Sequence, residues 1–223
     1  MRMRRKKNLD ERLRQVADYL VDIGETEGGY NGLPFRASPL NLPALFGNSN
    51  PTELEIGCGK GQFAAAVAAQ YPARNFLAVE VNPNVVVQAC EKAKAAGLGN
   101  LRFLVIGAEK LGVLLPRGSV GRIYLNFSTP FPKKRQAKRR LTDDRFLAIY
   151  REILTEDGEI LQKTDNRILF ASSVCAFSRC SFELTDVTLD LHADEPEENI
   201  MTEYESRFVA LGQPIFSLRA IKR

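Results

Sequence analysis

Tryptophan is absent from the 223 residues, and histidine occurs once, as His192. One imidazole rules out a metal site built on two or three histidines. It also gives a histidine general base little support, because His192 adjoins an acidic stretch with no evident cysteine or serine partner. A surface histidine is the expectation. Cysteine is sparse as well: positions 58, 90, 175 and 180 show no C-x-x-C spacing. The thiols are therefore expected to be free and reduced, with no disulfide frame, no zinc site and no metal cofactor. No apolar run approaches the roughly 20 residues of a membrane-spanning helix. The start, Met-Arg-Met-Arg-Arg-Lys-Lys, leads into a polar segment instead of an apolar core, which argues against a secretory signal. A cytoplasmic protein without a membrane partner is expected.

Two nucleotide-binding patterns are also missing. Glycines at 57, 59 and 61 do not make the G-x-G-x-x-G that seats a pyrophosphate on a helix N-terminus. Gly61 and Gln62 follow Lys60 where a Walker A loop needs Ser or Thr for magnesium. What is present is Glu55-Ile-Gly-Cys-Gly-Lys-Gly61, with Glu80 closing the next apolar run. A strand entering a glycine turn, then a carboxylate at the tip of the following strand, is how a doubly wound sheet holds a nucleoside. The pattern resembles motif I of the class I S-adenosylmethionine (AdoMet) methyltransferases. That resemblance implies cofactor contacts at Glu55, Gly57, Gly59, Gly61 and Glu80. The glycines would let backbone approach the ribose and methionine, and Glu80 would accept from both ribose hydroxyls. An ordinary glycine turn with a solvated strand-end glutamate is the alternative.

Length and composition, 44% hydrophobic and 26% charged, suit one globular domain over residues 1–223. A basic arm leads into an amphipathic helix over 9–22, carried by Leu9, Leu13, Val16, Ala17, Leu20 and Val21. Residues 24–51 read as a loop long enough to be a lid or substrate-facing segment. Strands are expected near 52–56, 76–80, 101–106, 121–127, 158–164, 182–191 and 214–222. Helices are expected near 60–71, 83–96, 141–154, 166–179 and 200–210. This βα alternation with an antiparallel-looking tail predicts an α/β fold: a doubly wound, mostly parallel, seven-stranded sheet with helices on both faces.

Net charge is only +4, but its distribution is uneven. Residues 1–15 carry seven basic and two acidic side chains, and 133–140 hold six basic side chains in eight. Residues 183–205 carry nine carboxylates and no Lys or Arg. Two electropositive poles of this kind are a nucleic-acid footprint. The second pole follows the fourth strand, in Asn126-Phe-Ser-Thr-Pro-Phe-Pro-Lys-Lys-Arg-Gln-Ala-Lys-Arg-Arg140, where an open α/β sheet binds its ligands. Two prolines stiffen this loop, Phe131 offers a face for a base, and the basic run suits phosphates. A solvated helix N-terminus is the alternative, disfavoured because cations there oppose the helix dipole.

The stretch resembles the hallmark loop of bacterial tRNA (guanine-N7)-methyltransferases. The similarity extends to the Met-Arg-x-Arg start, the glycine loop, Asn100-Leu-Arg, Lys163-Thr-Asp-Asn166, Thr202-Glu-Tyr-Glu205 and Gly212-Gln-Pro-Ile215, in the family's order. It implies AdoMet as methyl donor, with Gly107, Ala108 and Asn126 joining the cofactor set, and tRNA as partner. It implies tRNA or guanine contacts at Lys133, Asp165, Thr202 and Glu205, with Asp165 and Thr129 at the catalytic positions. Asp165 also reads as a helix N-cap, and Glu205 also reads as a solvated helix carboxylate. A monomer or a homodimer is equally compatible.

The sequence departs from the family pattern at several places. The family's Asp in Asp-Pro-Trp is Thr129 here, its Trp is Phe131, its His is Gln136, and the Asp before Ala108 is Gly107. Losing one charge-assisted hydrogen bond costs roughly 1.5–3 kcal/mol. Three readings stay open: an active tRNA (guanine-N7)-methyltransferase, a weak or inactive tRNA-binding relative, and a methyltransferase for another RNA base or a small molecule.

Overall fold

The computed structural model describes residues 7–23, 39–193 and 199–223. The arm at 1–6, residues 24–38 of the expected loop and residues 194–198 of the acidic stretch lie outside the described residues. Seven strands, β1 (Thr52–Ile56), β2 (Asn75–Val79), β3 (Leu101–Leu104), β4 (Val120–Asn126), β5 (Leu154–Thr164), β6 (Phe182–Thr188) and β7 (Phe216–Lys222), form one sheet. Their order is β3-β2-β1-β4-β5-β7-β6. All neighbours are parallel except β7, which runs antiparallel to both β5 and β6.

The helices are α1 (Leu9–Gln15), α2 (Leu42–Phe46), α3 (Gln62–Gln70), α4 (Pro83–Ala95), α5 (Leu111–Leu114), α6 (Asp144–Ile153), α7 (Arg167–Arg179) and α8 (Glu203–Ala210). Strand alternation sorts the core into two layers. Leu54, Ile56, Leu77, Val79 and Ile123 pack with Leu111, Leu147, Tyr150 and Phe177 of α5, α6 and α7. Phe76, Ala78, Phe103 and Tyr124 pack with Phe63, Val67, Val86 and Ala89 of α3 and α4 on the other face. Helix starts are fixed by local chemistry: Asn82 caps α4 ahead of Pro83, and Asn166 caps α7 by accepting from the Leu169 N–H at 2.9 Å. Among the described residues no helix is long and apolar enough to cross a membrane.

Three expectations are corrected. The N-terminal helix stops at Gln15; a 3-10 turn follows over Ala17–Tyr19, and Leu20 and Val21 run beside β3, where the Val21 N–H donates to Phe103 O at 2.9 Å. The apolar residues that continued the helical pattern are spent on the sheet edge. Within the expected loop, Asn41 caps α2, which buries Leu42 and Phe46 and ends on Gly47 at φ 70°. Strand β5 begins at Leu154, directly out of α6, and a register shift lies between its pairing at Leu154 and at Glu159.

Strand order reverses between β1 and β4. Their carboxyl ends flank the crevice where an open α/β sheet takes its ligand.

Candidate active site

The glycine loop leaves β1 and is clamped to β2: the Gly57 and Cys58 N–H groups donate to Val79 O at 2.7 and 3.0 Å. Gly57, Gly59 and Gly61 have φ of 85°, 55° and 70°, the left-handed region that disfavours other residues. Their surroundings separate two roles. A Cβ on Gly61 would lie 2.5 Å from Ala89 Cβ, so this glycine lets α3 and α4 pack closely. A Cβ on Gly57 or Gly59 would meet nothing within 4 Å, so these two face open space. Glu80 stands beside them, accepting from the Gly59 N–H at 3.3 Å and the Asn82 N–H at 3.0 Å.

At the switch point Glu55 is 2% exposed and accepts from Asn126 Nδ2 at 3.1 Å. Glu55 Oε2 and Asn126 Oδ1 are buried without a hydrogen-bond partner among the described residues. Burial pushes the Glu55 carboxyl up to about 7, against the Asn126 hydrogen bond, the Lys163 charge and the Ala64 amide, while the Glu80 charge adds to the rise. Two buried acceptors without a donor suit a small cation that also donates hydrogen bonds, such as an ammonium group.

The loop after β4 holds two aromatic residues at positive φ, Phe127 at 48° and Phe131 at 42°, a conformation that bulky residues rarely keep without support. Support is visible for both. Phe127 donates its N–H to Lys163 O at 2.8 Å and lies nearly parallel to Tyr204 and Phe208, with ring centres 6.2 and 6.0 Å away. Arg140 reaches back to Pro130 O at 2.9 Å, Phe131 O at 3.2 Å and Ser172 Oγ at 2.9 Å. Of the six cationic side chains in this run, Arg140 is thus a staple. Arg139 lies 4.7 Å over the Phe131 ring, so the aromatic face expected to be open to a base is covered by a guanidinium. Lys133, Lys134, Arg135 and Lys138 remain exposed, as does Thr129. The run forms 3-10 turns over Lys134–Arg139, ahead of the first turn of α6, so it avoids the unfavourable helix end.

Asp165 projects from the end of β5, exposed, with no hydrogen bond or ion pair to the described residues. The expected capping role falls to Asn166 instead, which leaves the Asp165 carboxylate open. Thr202 and Glu205 pair with each other in a capping box at the start of α8. The alternative of a solvated Glu205 is excluded, because the residue has no exposed surface. Its partners are Lys163, Asn199 and His192, the last at 3.0 Å, so the lone histidine is also tied into the interior side of this region. Sequence reasoning missed Lys163, Asn199 and His192 as members of the site, because their partners lie 6 to 42 positions away.

Gly107 and Ala108 follow β3, at the far end of the row from β4. The Gly107 φ of −82° does not require glycine. A Cβ there would fall 2.3 Å from the Glu109 carboxylate, which makes no hydrogen bond or ion pair to the described residues and lies over the glycine. The structure thus brings Glu55, Gly57, Gly59, Glu80 and Asn126 together at the ends of β1, β2 and β4. Gly61 is turned into the helix packing, and the Lys133 side chain makes no hydrogen bond or ion pair to the described residues. A cavity of about 470 Å³ lies over β4, β5 and β7, lined by Phe63, Tyr124, Leu161, Lys163, Ile200 and Leu218 among others, and none of this set lines it.

A family model described as "Putative methyltransferase" matches residues 49–218. A tRNA (guanine-N(7)-)-methyltransferase of Bacillus velezensis is 45% identical over 97% of this chain and 94% of its own. The Bacillus subtilis protein of the same name is 43% identical over 97% of this chain and 96% of its own. The chain belongs to the tRNA (guanine-N7)-methyltransferase family. Similar solved structures agree on the fold. The 16S rRNA methyltransferase KamB matches with a TM-score of 0.60 at 16% identity, over 85% of this chain and 96% of its own. A Haemonchus contortus phosphoethanolamine N-methyltransferase, solved with S-adenosyl-L-methionine, matches with a TM-score of 0.52 at 11% identity, over 78% of this chain and 49% of its own. Against the family's pattern, the neutral Thr129 stands exposed, whereas the place of a side chain on Gly107 is taken by Glu109.

Proposed function

We propose that this chain transfers the methyl group of AdoMet to N7 of a guanine in tRNA. The observation that carries the reading is the pair of unpartnered buried acceptors, Glu55 Oε2 and Asn126 Oδ1, beside an open glycine loop. They fit the amino end of a methionine moiety. Glu80 keeps lone pairs for ribose hydroxyls, and Gly57 and Gly59 leave backbone free for close approach. When bound, AdoMet supplies a methyl group on a sulfonium, with a neutral thioether as leaving group.

The acceptor chemistry asks little of the protein. Guanine N7 carries a lone pair and no proton, so N–CH3 bond formation and S–CH3 cleavage proceed without a general base. A chain with one histidine, itself engaged with Glu205, is suited to such a reaction. Positioning dominates. Methylation leaves the purine cationic, and Asp165, with no hydrogen bond or ion pair to the described residues, can accept from its N1–H and exocyclic amine while stabilising that charge. Thr129 offers a neutral hydroxyl at its position. Lys133 and its exposed neighbours meet phosphates.

Unmodified tRNA incubated with labelled AdoMet tests this directly: label in the RNA is expected, and none at saturating concentrations of both would overturn the reading. Thr129 motivates a second reading, a tRNA-binding relative with weak catalysis. A large rate gain in Thr129→Asp would favour it, and no gain would count against it.

A further inference from the structure

We propose that Lys163 is a positioning residue for the guanine side of the site, holding Glu205 and with it the first turn of α8 against the tip of β5. This rests on the reading above, in which Asp165 and α8 face the target base. Lys163 stands at the end of β5, two residues before Asp165, which follows the last residue of the strand. Its side chain is 12% exposed. An ammonium group has three donors, and all three are used: on Asn199 Oδ1, on Ile200 O at 3.0 Å and on Glu205 Oε2 at 3.0 Å. The carbonyl of the same residue accepts from the Phe127 N–H at 2.8 Å. One residue therefore joins the β4 loop, the end of β5 that leads into Asp165, residues 199–200 and α8.

Glu205 is saturated in turn. Oε1 takes Asn199 Nδ2 at 2.7 Å and His192 Nε2 at 3.0 Å, and Oε2 takes Lys163 and the Thr202 N–H at 3.2 Å. A carboxylate has about four lone-pair sites, so none is left for a base. Glu205 acts through the shape of the α8 turn, and Asp165 is the carboxylate left open. The α8 turn reaches the cofactor side as well, through the Glu203 ion pair to Lys60 of the glycine loop at 3.2 Å. Burial lowers the Lys163 pKa and Glu205 opposes that shift, with Glu55 the further carboxylate acting on it.

The geometry sets a test that a purely stabilising lysine would not pass. In Lys163→Met, His192 is, among the described residues, the remaining partner of Glu205 that can carry positive charge; Glu203 is the nearby second carboxylate and is paired outward. Histidine changes charge between pH 5 and 8. Methyl transfer to tRNA by Lys163→Met, at saturating AdoMet, is expected to fall at least about ten-fold from pH 6 to pH 8. The wild type, with no proton in its reaction, is expected to change far less. Adding His192→Gln should abolish the residual pH dependence, and Lys163→Arg should retain most of the activity. Folding of each variant is checked by circular dichroism. Retention by Lys163→Met of tRNA affinity and kcat/KM within two-fold of wild type would overturn the proposal. So would a loss independent of pH between 6 and 8. A wild type that transfers no methyl group would instead defeat the proposed function. The tRNA affinity of the same variants, read by fluorescence anisotropy, would still decide on Lys163: an unchanged, pH-independent affinity sinks it.

Discussion

Burying Glu55 with one oxygen unpaired is costly in the free protein, and a bound cation would relieve that cost. Raising a carboxyl from 4.5 to about 7 on folding removes about 3 kcal/mol of stability at high pH. The sign follows from proton uptake: the folded state holds the proton between pH 4.5 and 7, so stability is full below 4.5 and is lost as pH rises through 7. Glu55→Gln should therefore raise the melting temperature of the free protein at pH 8 while weakening AdoMet at least about ten-fold by calorimetry. In the wild type, AdoMet affinity should weaken as pH falls below 7, because the protonated carboxyl no longer attracts an ammonium. A second prediction concerns Gly107. Glu109 occupies the space a side chain there would need, so Gly107→Asp alone should not tighten AdoMet, since two carboxylates would compete for one place. Gly107→Asp with Glu109→Gln should bind more tightly than Gly107→Asp alone, and equal affinities would show that Glu109 does not control this position.

Elements divide the site into a stapled loop and a charged fringe. Arg140 fixes the β4 loop by two carbonyls and Ser172, whereas Lys133, Lys134 and Lys138 stand in solvent. Arg140→Ala should lower kcat about ten-fold or more with the salt dependence of tRNA binding unchanged. Each lysine to alanine change should leave kcat near wild type and reduce the salt slope by about one. Identical salt behaviour in both classes would remove the distinction. The sheet itself was readable from sequence because most strands hold a short apolar run bounded by turn residues, and α4, α6, α7 and α8 start at a capping side chain. The N-terminal helix was not, because Leu20 and Val21 satisfy a helical period equally well but pair with Phe103 in the fold. The burial of Lys163 and Glu205 and the partnering of His192 were not legible for a related reason: whether a charged residue is buried depends on partners distant in sequence, and a local pattern holds no record of them. Glu55, Glu80 and the glycines were legible because their spacing alone specifies the turn. Which glycine faces packing and which faces open space was not, since it depends on where α4 comes to lie.

At the scale of the whole molecule, the charge distribution complements the fold. The carboxyl ends of β1, β2 and β4 gather the residues proposed to hold the cofactor, the β4 loop adds exposed cations on one side, and the β5 tip with α8 adds carboxylates on the other. A polyanion docked on the cations would be kept off the carboxylates, which leaves Asp165 for an uncharged base. Affinity for tRNA should accordingly fall by orders of magnitude between 50 and 200 mM salt, as expected for several phosphate contacts. Affinity for AdoMet should stay nearly constant over the same range. The measurement that tests the account most directly is nucleoside analysis of unmodified tRNA after incubation with the protein and labelled AdoMet. Label confined to 7-methylguanosine is the predicted result; label in any other nucleoside, or none in RNA that the protein demonstrably binds, would contradict it.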